Sequence, residues 1–287
     1  MYVVAIFRQI WDQNPRSLIA QAARTQSKTL DLSSLGLTQV PEEIGQLTQL
    51  EQLDLSDNQL SQLPAAIAAL QNLRSLDLML NRFEQVPEGV FQLGELQELY
   101  LGDNRIQALP VAIARLLRLT WLSVGSNQLQ AVPQAIGQLT QLTHLNLNGN
   151  NLQALPDACA GLTQLQVLSV SQNQLRTVPT LLAYLPHLQR LDLSCNQIEF
   201  LPAELAQLRR LEWLNLSQNQ LKRLPGAIAN LSNLSELYVS QNCFRELPRV
   251  LKQLPRLAML NLADNPLPIP SEILEKIYEP SAILRHA

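Results

Sequence analysis

The chain has 287 residues, a formal net charge of −3, and 46% hydrophobic but only 5% aromatic residues. That balance gives no push towards nucleic acid or an anionic membrane, and it leaves leucine and isoleucine to fill the core. No stretch approaches the ~20 apolar residues of a membrane span, and the apolar run at residues 1–8 is too short for a signal peptide. The three cysteines, Cys159, Cys195 and Cys243, form no cluster. Cys159 replaces the isoleucine seen at Ile67, Ile113 and Ile136 and reads as a small core side chain. Cys195 and Cys243 lie two repeats apart, about 10 Å at the ordinary strand spacing, which is too far for a disulfide. These features predict a soluble, cytoplasmic chain in a reducing compartment.

Residues 1–28 read as a helical N-terminal cap. Val3, Val4, Ile6, Phe7, Ile10 and Trp11 are amphipathic, and Trp11 is expected to pack beneath the cap. Asn14-Pro15 signals a helix start, with Leu18, Ile19, Ala22 and Ala23 at helical spacing behind it. The reason for a cap is general: the first coil of a repeat array has one face without a neighbour.

From residue 29 to about 270 a frame recurs every 23 residues, as in Leu50-x-x-Leu53-x-Leu55-x-x-Asn58-x-Leu60-x-x-Leu63-Pro64-x-x-Ile67-x-x-Leu70. Its asparagines are Asn58, Asn81, Asn104, Asn127, Asn150, Asn173, Asn196, Asn219, Asn242 and Asn265. The first repeat, residues 29–40, has Leu35 at that position. A fixed period of this size marks a solenoid. The x-Leu-x-Leu-x segment alternates with period two and predicts a short strand with its leucines inward. The asparagine amide can bond backbone groups of its own turn and the next, which makes a structural ladder. The Leu-Pro or Val-Pro step fixes the backbone, and apolar residues three apart then fit a short helix or 3-10 turn. The strands are expected to form a parallel sheet lining a concave face, with the helical turns on the convex face. Residues 271–287 read as a C-terminal cap, with Ser271 as N-cap of a helix carrying Ile273, Leu274 and Ile277.

This frame resembles the leucine-rich repeats of intracellular type over about residues 29–270. The opening Leu30-Asp-Leu-Ser33 and the closing Asn265-Pro-Leu-Pro-Ile-Pro270 look like the ends of the repeat region in bacterial Roco proteins. Similar repeats occur in scaffolds that bind Ras-type GTPases and beside kinase domains. The resemblance implies a curved α/β solenoid that recognises a protein, such as a small GTPase or kinase. It carries over no catalytic function and no cofactor. A bacterial effector that binds host proteins is a further reading.

Outward strand positions are free of core constraints, so function is sought there. Six residues before the asparagine, Trp121, His144, Val167, Arg190 and Trp213 are expected to line up on adjacent strands, flanked by Tyr100, Tyr238 and Met79. Large aromatics and arginine on a polar sheet are what a protein-binding hot spot requires, and Gly102, Gly125 and Ser171 should leave room for the partner. Asp31, Asp54 and Asp77 form an acidic column suited to a basic segment or a cation, or simply solvated and bonded to nearby serines. The three histidines, His144, His187 and His286, are scattered, and no triad or metal-ligand spacing appears. The chain reads as a binding module rather than an enzyme.

Overall fold

The computed structural model describes residues 14–285. The amphipathic stretch before Asn14, Trp11 included, lies outside the described residues. The chain divides after Gln128 into two compact units.

In the first unit, helix α1 (Pro15–Thr25) starts where Asn14 Oδ1 accepts the Arg16 N–H at 3.0 Å, with proline at the first helical position. It ends at Gln26, which takes a left-handed conformation. Its buried residues are Ile19 and Ala22, and it packs on the first strand and the first 3-10 helix. The strands β1 (Thr29–Asp31), β2 (Gln52–Asp54), β3 (Ser75–Asp77), β4 (Glu98–Tyr100) and β5 (Trp121–Ser123) pair in parallel, each with the next in sequence. The register steps by one whole repeat, so Leu53, Leu76 and Leu99 stand side by side, fully or almost fully buried. Burying such a leucine removes about 1.5–3 kcal/mol of apolar exposure to water.

The return segments are 3-10 helices, as at Ala65–Ala69 and Val111–Arg115. Pro64 precedes the first with φ −63°, and its carbonyl accepts the Ile67 N–H at 3.1 Å. The proline has no N–H to leave unpaired, and its ring pre-sets the extended entry. Apolar residues three apart favour three residues per turn over 3.6, which decides for the 3-10 form.

The second unit repeats the plan. Strands β6 (His144–Asn146), β7 (Val167–Ser169), β8 (Arg190–Asp192), β9 (Trp213–Asn215), β10 (Glu236–Tyr238) and β11 (Met259–Asn261) form a parallel series in the same stepwise register. Their 3-10 helices stack closely. A Cβ added to Gly137 would lie 2.3 Å from the Ala158 carbonyl oxygen, so that approach requires glycine. Two short helices close the described chain, α2 (Ser271–Leu274) and α3 (Pro280–Leu284), burying Leu274 and Ile283. Here the sequence expectation needs correction. Pro270 occupies the N-cap, Ser271 is already inside the first turn, and no side chain caps the helix. Ile277 falls beyond α2, and its carbonyl instead accepts the Leu260 N–H of β11 at 2.8 Å.

The ladder has the same geometry in both units, with one correction of direction. Asn81 Nδ2 donates to the carbonyls of Leu78 and Met79 in its own turn and of Leu55 in the preceding coil, at 3.2, 3.0 and 2.9 Å. Its Oδ1 accepts the Leu60 N–H, also from the preceding coil, at 2.9 Å. Asn173 does the same with Val170, Ser171, Leu147 and Leu152. The asparagine therefore ties each coil backwards. Leu35 is in keeping with this, because its repeat has no earlier repeat to reach, while its own N–H donates to Asn58 Oδ1 at 3.2 Å. Immediately before each ladder asparagine the backbone is left-handed, at Asp57, Leu80, Asp103, Ser126, Gly149, Gln172, Cys195, Gln218, Gln241 and Asp264. The amide bonds hold this sharp turn against a cost of about 1–2 kcal/mol for a non-glycine residue.

Candidate functional site

The period-two alternation turns the middle leucine of each strand inward and leaves its two neighbours on the outer face. In the first unit that face begins with the aspartates. Asp31, Asp54 and Asp77 are register partners on β1, β2 and β3. Each Oδ1 accepts the backbone N–H two residues on, from Ser33, Ser56 and Met79, at 2.9, 2.8 and 2.8 Å. The Ser33 and Ser56 hydroxyls add bonds of 2.7 and 2.6 Å to the same oxygens. Burial pushes the Asp77 carboxyl above the usual range, the Met79 N–H works against that, and the Asp54 charge adds to it. Each carboxylate thus caps its own turn. No group of three or more metal-ligating side chains occurs among the described residues.

Beside the column stands Tyr100, paired with Trp121 at 6.2 Å between ring centroids and tilted by 46°. Its hydroxyl lies 3.4 Å from Glu98 Oε2, which also accepts from Ser75 Oγ at 3.0 Å. Burial, helped by the Glu98 and Asp77 charges, pushes the Tyr100 hydroxyl up to about 12. Trp121 keeps 36% of its surface exposed. Met79 lies over the sheet, and a Cβ added to Gly102 would come 3.2 Å from its Cε. The small residues therefore do not leave an open space: Met79 covers Gly102, while Gly125 and Ser171 are buried.

In the second unit one column runs His144, Val167, Arg190, Trp213, Glu236 and Met259 across β6 to β11. The exposed Arg190 guanidinium carbon stands 5.1 Å over the Trp213 ring. Trp213 in turn meets Tyr238 at 5.6 Å, tilted by 47°. Tyr238 donates to Glu236 Oε2 at 2.9 Å, with Met259 Sδ at 3.7 Å from the same hydroxyl. Burial and the Glu236 carboxylate raise the Tyr238 hydroxyl above its ordinary value. A carboxylate holds the tyrosine, the tyrosine flanks the tryptophan, and the tryptophan carries a cation. Such a stack presents apolar area with little rotamer freedom left to lose on binding. His144 is half-buried, bonds Thr143 Oγ1 through Nδ1 at 2.9 Å, and burial lowers its basicity. Val167, next in the column, is half-buried.

Glu98 and Glu236, which fix the two tyrosines, were not singled out from the sequence. The signal was present: Glu-Leu-Tyr occurs at residues 98–100 and again at 236–238, each time with a tryptophan on the adjoining strand. Off the strand face, His187 Nδ1 pairs with the Arg210 guanidinium at 2.8 Å. All three cysteines are free thiols, and burial raises Cys159 to about 12, far from thiolate chemistry at neutral pH. Among the described residues no helix is long and apolar enough to cross a membrane.

Stacked 23-residue coils with a parallel strand, an asparagine ladder and 3-10 returns define a leucine-rich-repeat protein. The leucine-rich-repeat family model matches residues 26–83, 71–129, 117–175, 178–221 and 224–267, and the chain belongs to that family. Such domains generally mediate protein–protein interaction, and the matched family is a repeat family rather than a catalytic one. Among solved structures, a leucine-rich-repeat protein of Leptospira interrogans is 27% identical with a TM-score of 0.58, over 90% of this chain and 96% of that one. An internalin of Listeria monocytogenes shares the fold at 24% identity and a TM-score of 0.74, over 90% and 82% of the two chains. A plant peptide hormone receptor, solved in complex with RGF2, is 30% identical with a TM-score of 0.69, over 84% of this chain and 44% of the receptor chain. No curated protein matches the chain.

Proposed function

We propose that the chain is a protein-recognition module whose partner docks on the outer face of the strands. The observation that carries this reading is the Arg190–Trp213–Tyr238 stack. Tryptophan, tyrosine and arginine are the residues on which interface energy concentrates, and here each fixes the next. Trp121, Tyr100 and Met79 form the corresponding group of the first unit, and His144 and Val167 belong to the column of the second. The acidic column Asp31, Asp54 and Asp77 contributes attraction to a basic part of the partner. The peptide hormone receptor solved in complex with RGF2 lends support from a relative of the same fold. In the same reading, residues 1–28 and 271–287 close the two ends of a repeat array at 29–270, and the partner is met in the cytoplasm.

The ends that resemble Roco repeat regions, Leu30–Ser33 and Asn265–Pro270, favour a second reading. In it the chain is a regulatory or scaffold component acting in trans on a small GTPase or kinase. Affinity capture from the source cells, read by mass spectrometry, tests the main proposal. The parent should retain a partner that Trp121→Ala/Trp213→Ala loses, while the double variant keeps the thermal midpoint of the parent. Undiminished capture by the double variant would refute it. The identity of the captured protein decides whether a GTPase or kinase system is involved.

A further inference from the structure

The segments that follow the ladder asparagines are uncharged in some coils, as in Ser61-Gln62, Gln107-Ala108, Gln130-Ala131 and Gln153-Ala154, and carry a single charge in others, as at Glu84, Arg176 and Glu199. In two successive coils of the second unit they become Lys222-Arg223 and Arg245-Glu246, and Arg249 follows Pro248. These side chains line an open cleft of about 780 Å³. Gly226 helps to open it, since a Cβ added there meets nothing within 4 Å. Most other coils carry a side chain at that position, such as Val111 or Thr180. Part of the lining is apolar, from Leu224, Leu247, Pro248 and Val250.

The charge on this cleft is unbalanced. Four cations against Glu246 leave a local excess of three positive charges (4 − 1). Some basic side chains elsewhere have a carboxylate partner: Lys28 with Glu51, Arg115 with Glu88, Arg118 with Glu95. Lys222, Arg223, Arg245 and Arg249 make no side-chain hydrogen bond or ion pair among the described residues. Gathering unpaired cations around one cleft costs repulsion in the free protein, and an anionic ligand relieves it.

We propose that this cleft is a second binding site, built for an acidic peptide segment that also carries an apolar side chain. The apolar part of the lining decides against a bare phosphate, which would leave it wet. Planar guanidinium forks match carboxylates in pairs. The volume falls in the range of about 300–1,000 Å³ typical of ligand sites. The excess of charge is local to the cleft in a chain of net charge −3, unlike the broad basic stripe that nucleic acid needs. The site is independent of the strand-face reading, because neither Trp213 nor Arg190 lines it.

Cys243 provides a local readout, being exposed and part of the cleft lining. The probe is a fluorescein-labelled pool of hexapeptides, Glu-Glu-X-Glu-Glu-X with X leucine, phenylalanine or valine, followed by anisotropy. In parallel, iodoacetamide alkylation of Cys243 is timed by mass spectrometry. The parent should bind the pool, bind a glutamine-for-glutamate pool far less, and show slower Cys243 alkylation when occupied. Arg223→Gln/Arg245→Gln should weaken binding about tenfold or more, since one lost charge-assisted bond is worth about that factor, and Gly226→Leu should weaken it by a similar factor by filling the cleft. Gly226→Leu should keep the thermal midpoint, so its loss is not a folding effect. No binding by the parent, unchanged Cys243 alkylation, or parent-like binding by both variants would overturn the site. Displacement by pyrophosphate as effective as by unlabelled peptide would overturn the peptide assignment.

Discussion

Two strands of this molecule spell the same three residues and meet opposite company. In the first unit Glu98-Leu99-Tyr100 adjoins Trp121 on one side and Asp77 on the other. In the second, Glu236-Leu237-Tyr238 adjoins Trp213, which carries Arg190 over its ring. Both tyrosines bond a glutamate two residues back, and both aromatic pairs are tilted by nearly the same angle, 46° and 47°. The scaffold therefore delivers a similar aromatic pair twice, with the tryptophan on the following strand in the first unit and on the preceding strand in the second, and the neighbouring strand sets its electrostatics. An aromatic pair flanked by carboxylates suits a basic partner element. A tryptophan already covered by a guanidinium offers an ordered cation with apolar area beneath it. The lesson is that repeats equivalent in the core are individual on the face.

The largest effect expected concerns what the regions share. Asn81→Ala in the first unit and Asn173→Ala in the second each strand several buried backbone partners, at about 1–3 kcal/mol apiece. Each should lower stability by about 3 kcal/mol or more in denaturant unfolding, and by similar amounts. A large loss in one unit only would break the claim of a common scaffold. Next comes the cation that separates the regions. Arg190→Ala should weaken partner binding by about 1 kcal/mol, roughly fivefold, in isothermal titration, because the exposed stack loses its cation. Unchanged affinity would reduce the arginine to a spectator.

Ionisation follows the same pattern in both tyrosines, since burial and a neighbouring glutamate raise each of them. Tyr100 sits at about 12 because burial and two carboxylates disfavour its phenolate. A raised value means that the neutral form supports the fold. That stability is complete below the ordinary tyrosine value of about 10 and is lost as pH rises through 12. Ultraviolet titration should show a late phenolate step that Tyr100→Phe removes. The smallest effect belongs to the acidic column. Asp77 is raised too, so its contribution is greatest at acid pH and falls as pH climbs through its elevated value. Asp77→Asn should therefore stabilise slightly at neutral pH, by less than about 1 kcal/mol for a half-exposed group, in thermal unfolding. A clear destabilisation would show that the carboxylate's bond to the Met79 N–H outweighs its burial and the Asp54 charge.

Much of this was legible in the sequence. The 23-residue period fixes strand register, so the column His144, Val167, Arg190 and Trp213 follows from counting, and Asn14-Pro15 marks the helix start through local chemistry. What escaped depends on where chains and flexible side chains come to rest. The alternation places Met79 and Gly102 on the face but says nothing of Met79 lying across the glycine. The donors of an asparagine amide do not reveal that they reach back rather than on. Ser271 has the right chemistry for a cap, yet Pro270 takes the capping position. The left-handed residue before each asparagine leaves only a faint trace, since Leu80 and Gln172 adopt it as readily as Gly149.

The central claim is the proposal that the stack on β8, β9 and β10 anchors a partner protein. The most direct measurement is the affinity of the captured partner for Trp213→Ala, compared with Trp121→Ala, across a salt series. Trp213→Ala should lose about 2 kcal/mol or more, roughly thirtyfold, at every salt concentration. Trp121→Ala should lose less, and Asp54→Asn/Asp77→Asn should flatten the salt dependence. Parent-like affinity of Trp213→Ala would contradict the account.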